Sequence, residues 1–476
     1  MNASPNQTPE QFLTQCRGVI GAVHVLTAKA DMASFLTDWR GRFTGNALAV
    51  IQPGSTDEVA AIVRLCNTYQ IPIVPQGGNT GLVLGGVPDA SGRAIVLSLR
   101  RMRQIRAIDP LNNTLTADAG CILSTLQDAA HGANRLFPLS LAAEGSCTIG
   151  GNLSTNAGGT AVLRYGNTRD LCLGLEVVTP QGDIWSSLRG LRKDNTGYDL
   201  RDLFIGAEGT LGIITAATLK LFPQPKTQLT ALAALHTPQQ ALRLLSLAQE
   251  YCGAALTGFE LMSGLCLQLV AKYHPDLKAP FTPTYRQSVL LELSDNESEQ
   301  HAKDMLERLF TDALEAGIIN DAVIATSLAQ SKKLWQIREC IPLAQAAEGK
   351  NIKHDISVPI SGIANFIEHT DLLLQQHFPA CRMVTFGHLG DGNLHYNVAA
   401  PIGIDAEEFI LQQDAINRIV YDSVHQFGGS ISAEHGIGAL KREQLPVYKS
   451  AVEMRLMQAI KHAIDPQNLM NPGKVL

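Results

Sequence analysis

The sequence predicts an α+β protein that opens with a β-α-β unit and continues into an antiparallel sheet covered by helices. Residues 47–51 and 71–75 are short apolar strand candidates, and between them Ser55 begins a helix whose apolar positions recur at helical spacing. Further along the chain, strand patterns alternate with helical patterns, at 229–235, 238–252, 288–294 and 298–316. Strands that alternate with helices in this way are typical of a sheet that buries one face under helices.

Composition excludes several classes of protein. The chain has 476 residues, of which 45% are hydrophobic, so it can form more than one domain core. A net charge of −6 gives no reason to expect a nucleic acid or an anionic membrane as partner. The nine cysteines form no CxxC pair, and neither a secretory signal nor an apolar run of roughly 18–20 residues is present. We therefore expect a cytoplasmic protein with reduced thiols and no integral membrane segment, while peripheral attachment to a membrane stays open.

Three glycine-rich segments predict a binding site for a long polar ligand. They are Pro75–Gly81, Gly145–Gly159 and Ile205–Ile214. Backbone amides beside adjacent glycines can cradle an anion such as a pyrophosphate, because no Cβ blocks its approach. The spacing fits neither a Rossmann GxGxxG motif nor a Walker loop. Alone, the first segment would be read as a tight turn, but three such segments together favour a ligand that runs through the domain.

These segments, with Leu191–Leu200, resemble the FAD-binding domain of the vanillyl-alcohol oxidase and p-cresol methylhydroxylase superfamily. The resemblance covers roughly residues 45–476 and is strongest to the branch of D-lactate and D-2-hydroxyglutarate dehydrogenases. It implies that FAD phosphates lie at Gly77, Gly78, Asn79, Thr80 and Gly81. It places the remainder of FAD along Ser146, Gly151, Ser154, Asn156, Gly212 and Ile214. The first segment contains no histidine that could tether the cofactor, so we expect non-covalent FAD.

A second pattern predicts a site for a divalent metal. His388 and His395 flank a Gly-Asp-Gly-Asn turn that can bring both imidazoles to one point, and Glu434 supplies a carboxylate further on. Two histidines and one carboxylate with open positions suit a catalytic Zn²⁺, although Mn²⁺ and Co²⁺ stay open. The resemblance implies that these three residues are the metal ligands.

The same branch implies the substrate and the chemistry. A 2-hydroxy acid is oxidised when its hydroxyl loses a proton and C2 loses a hydride, and a neutral imidazole can accept that proton. Four residues match functional positions of the branch. His435 matches the base, Asn397 matches a substrate contact, and Arg338 and Lys353 match the cations that bind a second carboxylate of the substrate. One departure is Pro342, which stands where relatives carry an assisting threonine. The best prediction is D-2-hydroxyglutarate, with D-malate and D-lactate left open.

The sequence pattern and the resemblance together divide the chain. A polar start followed by helical patterns predicts an N-terminal helical segment at 1–44, and the break at Pro223 and Pro225 ends a two-subdomain FAD-binding domain at 45–225. A substrate domain with an antiparallel sheet follows at 226–425, and a helical segment at 426–476 returns to the FAD domain.

The electron acceptor must be external, because the sequence has no second nucleotide motif, no iron–sulfur pattern and no haem motif. Relatives use an electron-transfer flavoprotein, quinones or cytochromes, and the first is our preferred expectation. A homodimer, reaction with oxygen and glycolate-oxidase-like activity stay open. Two less favoured alternatives are a metal-dependent hydrolase and a non-catalytic flavin subunit, and retention of the metal and base residues argues against the latter.

Overall fold

The computed structural model describes residues 8–282 and 284–476, which divide into two compact units. The first unit contains the described residues up to Gly158, then Gly166–Gln224 and His435–Leu476. The second contains Gly159–Tyr165 and Pro225–Glu434. The chain therefore passes from the second unit to the first at the peptide bond that follows Glu434. The domain boundaries given above stay predictions.

The chain up to Gln224 contains short helices and mostly short strands. Its helices are α1 (Pro9–Ile20), α2 (Lys29–Leu36), α3 (Thr56–Tyr69), α4 (Leu123–Gly132), α5 (Ile149–Thr155), α6 (Val162–Tyr165), α7 (Thr168–Leu171) and α8 (Arg201–Phe204). Its strands are β1 (Val25–Leu26), β2 (Ala49–Ile51), β3 (Ile73–Gln76), β4 (Ile95–Ser98), β5 (Ile105–Asp109), β6 (Thr114–Asp118), β7 (Arg135–Leu136), β8 (Cys172–Val178), β9 (Ile184–Ser187), β10 (Ile213–Lys220) and β11 (Phe222–Pro223).

The strands of the first unit form two main sheets. In the first sheet the order is β1-β2-β4-β3, with β2 and β3 both parallel to β4. Helix α3 links β2 to β3, and the Ser55 side chain caps it as the sequence predicted. The second sheet is antiparallel, with the order β5-β6-β10-β8-β9. Strands β7 and β11 pair as a separate ribbon.

Longer elements follow Gln224. The strands are β12 (Thr227–Leu235), β13 (Leu256–Ser263), β14 (Gln287–Asp295), β15 (Asp321–Ile324), β16 (Asn351–Ile352), β17 (Asp355–Ser357), β18 (Arg382–His388) and β19 (Asn393–Ala399). The helices are α9 (Pro238–Cys252), α10 (Gly264–Tyr273), α11 (Glu299–Glu315), α12 (Leu328–Glu339), α13 (Ile341–Glu348), α14 (Ile363–His377), α15 (Ala406–Ile410), α16 (Gln413–Gln426), α17 (Leu445–Tyr448) and α18 (Ala451–Ile464). Helices α17 and α18 belong to the first unit.

The second unit is built on one antiparallel sheet covered by helices, as the sequence predicted. The strand order is β15-β12-β14-β13-β18-β19-β16, and β17 also pairs with β19. Apolar residues of α10, α12 and α13 pack against this sheet, among them Val270, Leu334 and Ile341. Burial of this apolar face holds the helices in place and fixes the register of the central strands.

The C-terminal segment is attached to the first unit by specific polar contacts. Met470 forms a parallel bridge with Ile73, and the Asn471 side chain donates to the carbonyl oxygens of Gly85 and Glu208. The buried Glu208 carboxylate accepts hydrogen bonds from the backbone amides of Ile437 and Gly438. Burial raises the pKa of Glu208, although these two amides act in the opposite direction.

Within the described residues, no helix combines the length and the apolar character needed to cross a bilayer. All nine cysteines lie in the described part of the chain, and each is a free thiol.

Candidate cofactor and metal sites

The loop after β3 leaves a row of backbone amides open. Gln76, the last residue of β3, is buried, and its side chain donates to the carbonyl oxygens of Phe35 and Gly86. The amides of the next five residues have no protein acceptor in the part of the chain that the structure describes; they are Gly77, Gly78, Asn79, Thr80 and Gly81. The first four of these residues are half-buried and Gly81 is exposed. Since buried and half-buried amides are nearly always paired, an external acceptor is expected at Gly77–Thr80.

Two of these glycines are required by the close approach of the segment before α5. A Cβ on Gly77 would lie 2.2 Å from the Thr148 Oγ1, and one on Gly78 would lie 2.2 Å from the carbonyl oxygen of Ser146. The Thr148 Oγ1 is itself buried and has no hydrogen-bond partner among the described residues. A polar ligand with phosphate oxygens would satisfy both the open amides and this hydroxyl. The residues present therefore fit the pyrophosphate of FAD.

Several other predicted FAD residues hold the loops together through their side chains. Asn79 has a left-handed backbone (φ 59°), and its side chain donates to the carbonyl oxygen of Thr37. The Ser154 hydroxyl donates to the carbonyl oxygen of Gly150, and the Asn156 side chain accepts from the amide of Arg169. At these positions the contact with FAD stays a prediction, and the structure gives the side chains a role in shaping the loops.

The four other predicted FAD residues differ in their surroundings. Ser146 donates weakly to the carbonyl oxygen of Ala143, at 3.3 Å. Gly151 has open space around its Cβ position apart from the Thr148 hydroxyl at 3.5 Å. Gly212 and Ile214, in contrast, are enclosed by the protein. Gly151, in the first turn of α5, and Ser146 are thus half-buried, whereas Gly212 and Ile214 are buried.

In the second unit, strand register brings the two predicted metal-binding histidines together. His388 at the end of β18 is paired with Glu260 of β13, and Phe386 of the same strand is paired with His395 of β19. Because side chains alternate along a strand, His388, Phe386 and His395 share one face of the sheet. The ring centroids of the two histidines are 5.7 Å apart. The Gly-Asp-Gly-Asn turn between the strands makes this hairpin.

Glu434 completes a group of three donor atoms that all lie within 4.8 Å of one another. Its carboxylate accepts from the amide of Gly159, and its own amide donates to the carboxylate of Asp355. Asp355 is buried and is paired with His395 across β17 and β19. Two imidazoles and a carboxylate at this separation can hold one divalent ion and leave positions open for a substrate. The donor set therefore fits a catalytic metal.

A buried carboxylate that was not among the predicted residues orients His388. The Glu260 Oε1 lies 2.5 Å from the His388 Nδ1, and its Oε2 accepts from the Arg338 Nε at 2.6 Å. Burial favours the neutral form of each partner, but the opposite charges outweigh it. They raise the pKa of His388 to about 9 and lower the pKa of Glu260 to about 2. In the sequence Glu260 stands between the apolar Phe259 and Leu261, but no motif marks it as a partner of His388.

The predicted substrate residues have different surroundings. Arg338 is buried, its guanidinium lies 4.7 Å from the centre of the Phe386 ring, and its terminal NH₂ groups have no acceptor among the described residues. Lys353 is exposed, between β16 and β17. Asn397 is buried, and its side chain donates to Gln345 and accepts from the His354 amide. His435 is half-buried and belongs to the first unit.

The structure thus groups four of the predicted residues around one sheet face in the second unit: His388, His395, Glu434 and, through Glu260, Arg338. Sequence reasoning missed Glu260, Asp355 and Thr148. Their contacts depend on residues distant in the chain, so no local motif marks them. Pro342, the departure noted in the sequence, lies in the first turn of α13.

Comparison with known proteins shows the family of this chain and supports FAD as its cofactor. Residues 47–187 match the family described as "FAD binding domain", and residues 224–475 match the family "FAD linked oxidases, C-terminal domain". A D-2-hydroxyglutarate dehydrogenase from Xanthomonas citri pv. viticola is 40% identical over 96% of this chain and 95% of its own. One from Stutzerimonas stutzeri is 37% identical over 98% of this chain and 99% of its own.

Solved structures show the fold. p-Cresol methylhydroxylase with substrate bound superposes with a TM-score of 0.78 at 16% identity, over 98% of this chain and 96% of that chain. This confirms the predicted superfamily fold, and the nearly full-length relatives fix the branch. The chain belongs to the FAD-linked oxidases, in their branch of D-2-hydroxyacid dehydrogenases.

Proposed function

We propose that this protein oxidises D-2-hydroxyglutarate, or a closely related D-2-hydroxy acid, to the 2-oxo acid, with FAD and a divalent metal as cofactors. The observation that supports it most strongly is the group of His388, His395 and Glu434, whose donor atoms lie within 4.8 Å of one another. Two relatives of nearly the same length that are named D-2-hydroxyglutarate dehydrogenase support the substrate class.

Each cofactor has a defined task in this proposal. Bound FAD, held at the open amides of Gly77–Gly81 and at Thr148, supplies the acceptor for the hydride of C2. A divalent ion held by His388, His395 and Glu434 supplies a Lewis acid that makes the substrate hydroxyl more acidic. Zn²⁺ is the metal that we propose first, since two histidines and one carboxylate are common ligands of catalytic zinc.

The protein's own groups then bind the substrate and move the proton. His435 accepts the hydroxyl proton through an imidazole nitrogen. Arg338 donates from its terminal NH₂ groups to the second carboxylate of the substrate, which is the kind of planar acceptor that a guanidinium binds well. Lys353 adds a second cation. Asn397, which lies on the same strand as His395, orients the substrate.

The electrons leave to an external acceptor, for which an electron-transfer flavoprotein is our first candidate and a quinone the second. A cytoplasmic location and a homodimer stay predictions.

The substrate assignment is tested by comparing kcat/KM for D-2-hydroxyglutarate, D-malate and D-lactate with an artificial electron acceptor. We expect D-2-hydroxyglutarate to be preferred over D-lactate by roughly tenfold or more, because a monoacid leaves the terminal NH₂ groups of the buried Arg338 without an acceptor. A higher kcat/KM for D-lactate would contradict the assignment to a diacid.

Flavin binding gives a second prediction. Gly78→Ala should be purified with much less FAD than the wild type, because the added Cβ would collide with the carbonyl oxygen of Ser146 and displace the loop. Gly132→Ala is the matched control, since no atom lies within 4 Å of its Cβ position.

Acid precipitation of the wild type should release all flavin into the supernatant. Yellow colour retained in the pellet would show that the cofactor is covalent after all.

Metal removal gives a third prediction. Chelation, or His395→Ala, should abolish turnover and leave the flavin absorbance unchanged, because the three ligands lie in the second unit. Loss of one ligand of three should weaken Zn²⁺ binding roughly a hundredfold or more. His377→Ala, at an exposed position at the end of α14, is the control and should bind the metal like the wild type. Full activity of the metal-free protein would refute the role of the ion.

The role of His435 gives a fourth prediction. His435→Ala should lower kcat by about 10²–10⁴-fold, the range typical of a lost general base. The content of FAD and of Zn²⁺ should stay near that of the wild type. Near-normal turnover of this variant would remove His435 from the mechanism.

A further inference from the structure

Glu260 forms polar contacts with both a predicted metal ligand and a predicted substrate-binding cation. Its side chain is fully buried on β13, between the apolar Phe259 and Leu261. One carboxylate oxygen contacts the His388 Nδ1 and the other accepts from the Arg338 Nε. Both oxygens are therefore in use, and they face two residues that lie far apart in the sequence.

A buried carboxylate needs compensation for the water that it loses. Burying an isolated charge is costly, whereas a paired and hydrogen-bonded charge is tolerated. Here the compensation comes from two groups on different elements, His388 at the end of β18 and Arg338 on α12. Apolar residues packed against the same sheet face include Leu290, Leu334 and Val384. In such surroundings the two contacts are strong and directional.

The contact with His388 decides which ring nitrogen remains for a metal. An ionised carboxylate can only accept, so the His388 Nδ1 carries the hydrogen that faces Glu260. The Nε2 is left as the metal-binding nitrogen. Carboxylates commonly fix the tautomer and orientation of metal-bound histidines in this way, and they raise the basicity of the ligand.

The contact with Arg338 decides where its remaining donors lie. Glu260 holds the Nε, and the Phe386 ring lies 4.7 Å from the guanidinium carbon. Phe386 is also paired with His395 across β18 and β19. The guanidinium is thus fixed in position relative to both histidines, while its terminal NH₂ groups stay available.

We propose that Glu260 is a positioning residue with two roles, in which it sets the metal affinity of His388 and also places Arg338 to receive the second carboxylate of a diacid substrate. This inference rests on the proposed function and deepens it. One rigid carboxylate would fix the distance between the metal and the cation, and hence the length of the diacid that fits.

The test is Glu260→Gln, which keeps the shape and removes the second acceptor. A glutamine has one acceptor oxygen and one donor nitrogen in place of two acceptors. Its NH₂ must therefore face either Arg338, which has no acceptor, or His388. In the second case the Nδ1 becomes the acceptor and the hydrogen moves to the Nε2, where it blocks metal binding.

Glu292→Gln is the matched control. Glu292 is on the adjacent strand β14, accepts from the Trp335 Nε1 of α12 at 2.8 Å, and has a pKa raised by burial. It has no contact with His388 or Arg338 among the bonds of the described residues. A general loss of packing under α12 should therefore affect both variants, whereas a positioning role belongs to Glu260 alone.

The measurements are the Zn²⁺ affinity of the metal-free protein by calorimetry, and KM at saturating Zn²⁺ for D-2-hydroxyglutarate and D-lactate. For Glu260→Gln we expect Zn²⁺ binding to weaken by roughly 10–100-fold. KM for the diacid should rise roughly tenfold more than KM for D-lactate. Glu292→Gln should match the wild type in both, and both variants should retain their flavin.

Other outcomes overturn the inference in distinguishable ways. In one such outcome the wild type binds Zn²⁺ and prefers the diacid, and Glu260→Gln has the same Zn²⁺ affinity and the same KM values. Glu260 then has no positioning role, and the proposed function stands. If the wild type itself binds no Zn²⁺, the metal site and this inference fall together. Should Glu260→Gln not fold, Glu260→Asp serves instead, because it keeps the charge but is too short to reach both partners. Wild-type Zn²⁺ affinity and substrate preference in that variant would equally refute the role.

Discussion

The second unit depends on one buried carboxylate that is shared between a histidine and an arginine. Glu260 would be strongly destabilising on its own, because its ionised side chain is fully buried. The positive charge of Arg338 and the hydrogen bond from His388 compensate for this. Folding therefore constrains both residues, because the buried carboxylate of Glu260 must face them. The His388 imidazole and the Arg338 guanidinium, the groups to which we assign the metal and the second carboxylate, are held in place by this contact.

The first unit shows the reverse arrangement, in which the fold leaves groups without partners. Five successive amides after β3 and the Thr148 hydroxyl have no acceptor or donor among the described residues. Unpaired polar groups of this kind cost stability unless a ligand or water binds them. Because a ligand that binds only the folded state stabilises it, FAD should contribute to the stability of this unit as well as to its chemistry. The glycines at 77 and 78 are needed because the neighbouring segment approaches too closely for any Cβ.

Much of this could be read from local patterns. Helix α3 begins at its predicted cap, and α9 has the predicted bounds, because caps and apolar periodicity are local properties. The histidine pair could be predicted because a short turn joins the two strands that carry it. Asn79 and Asn397 were harder to interpret, since their side chains bond to the protein itself and only the folded chain shows those bonds.

The sequence by itself determined the fold class, the branch of flavoproteins and the identity of the groups that can bind a metal and an anion, because these follow from local spacing and from residue types over nearly the whole chain. The tertiary structure alone decided how these groups are oriented. Glu260 and His388 are separated by 128 positions, and Glu260 and Arg338 by 78. Such contacts arise from strand register and from helix packing on the sheet, which are set by the burial of apolar side chains along the whole unit, and no short motif encodes them.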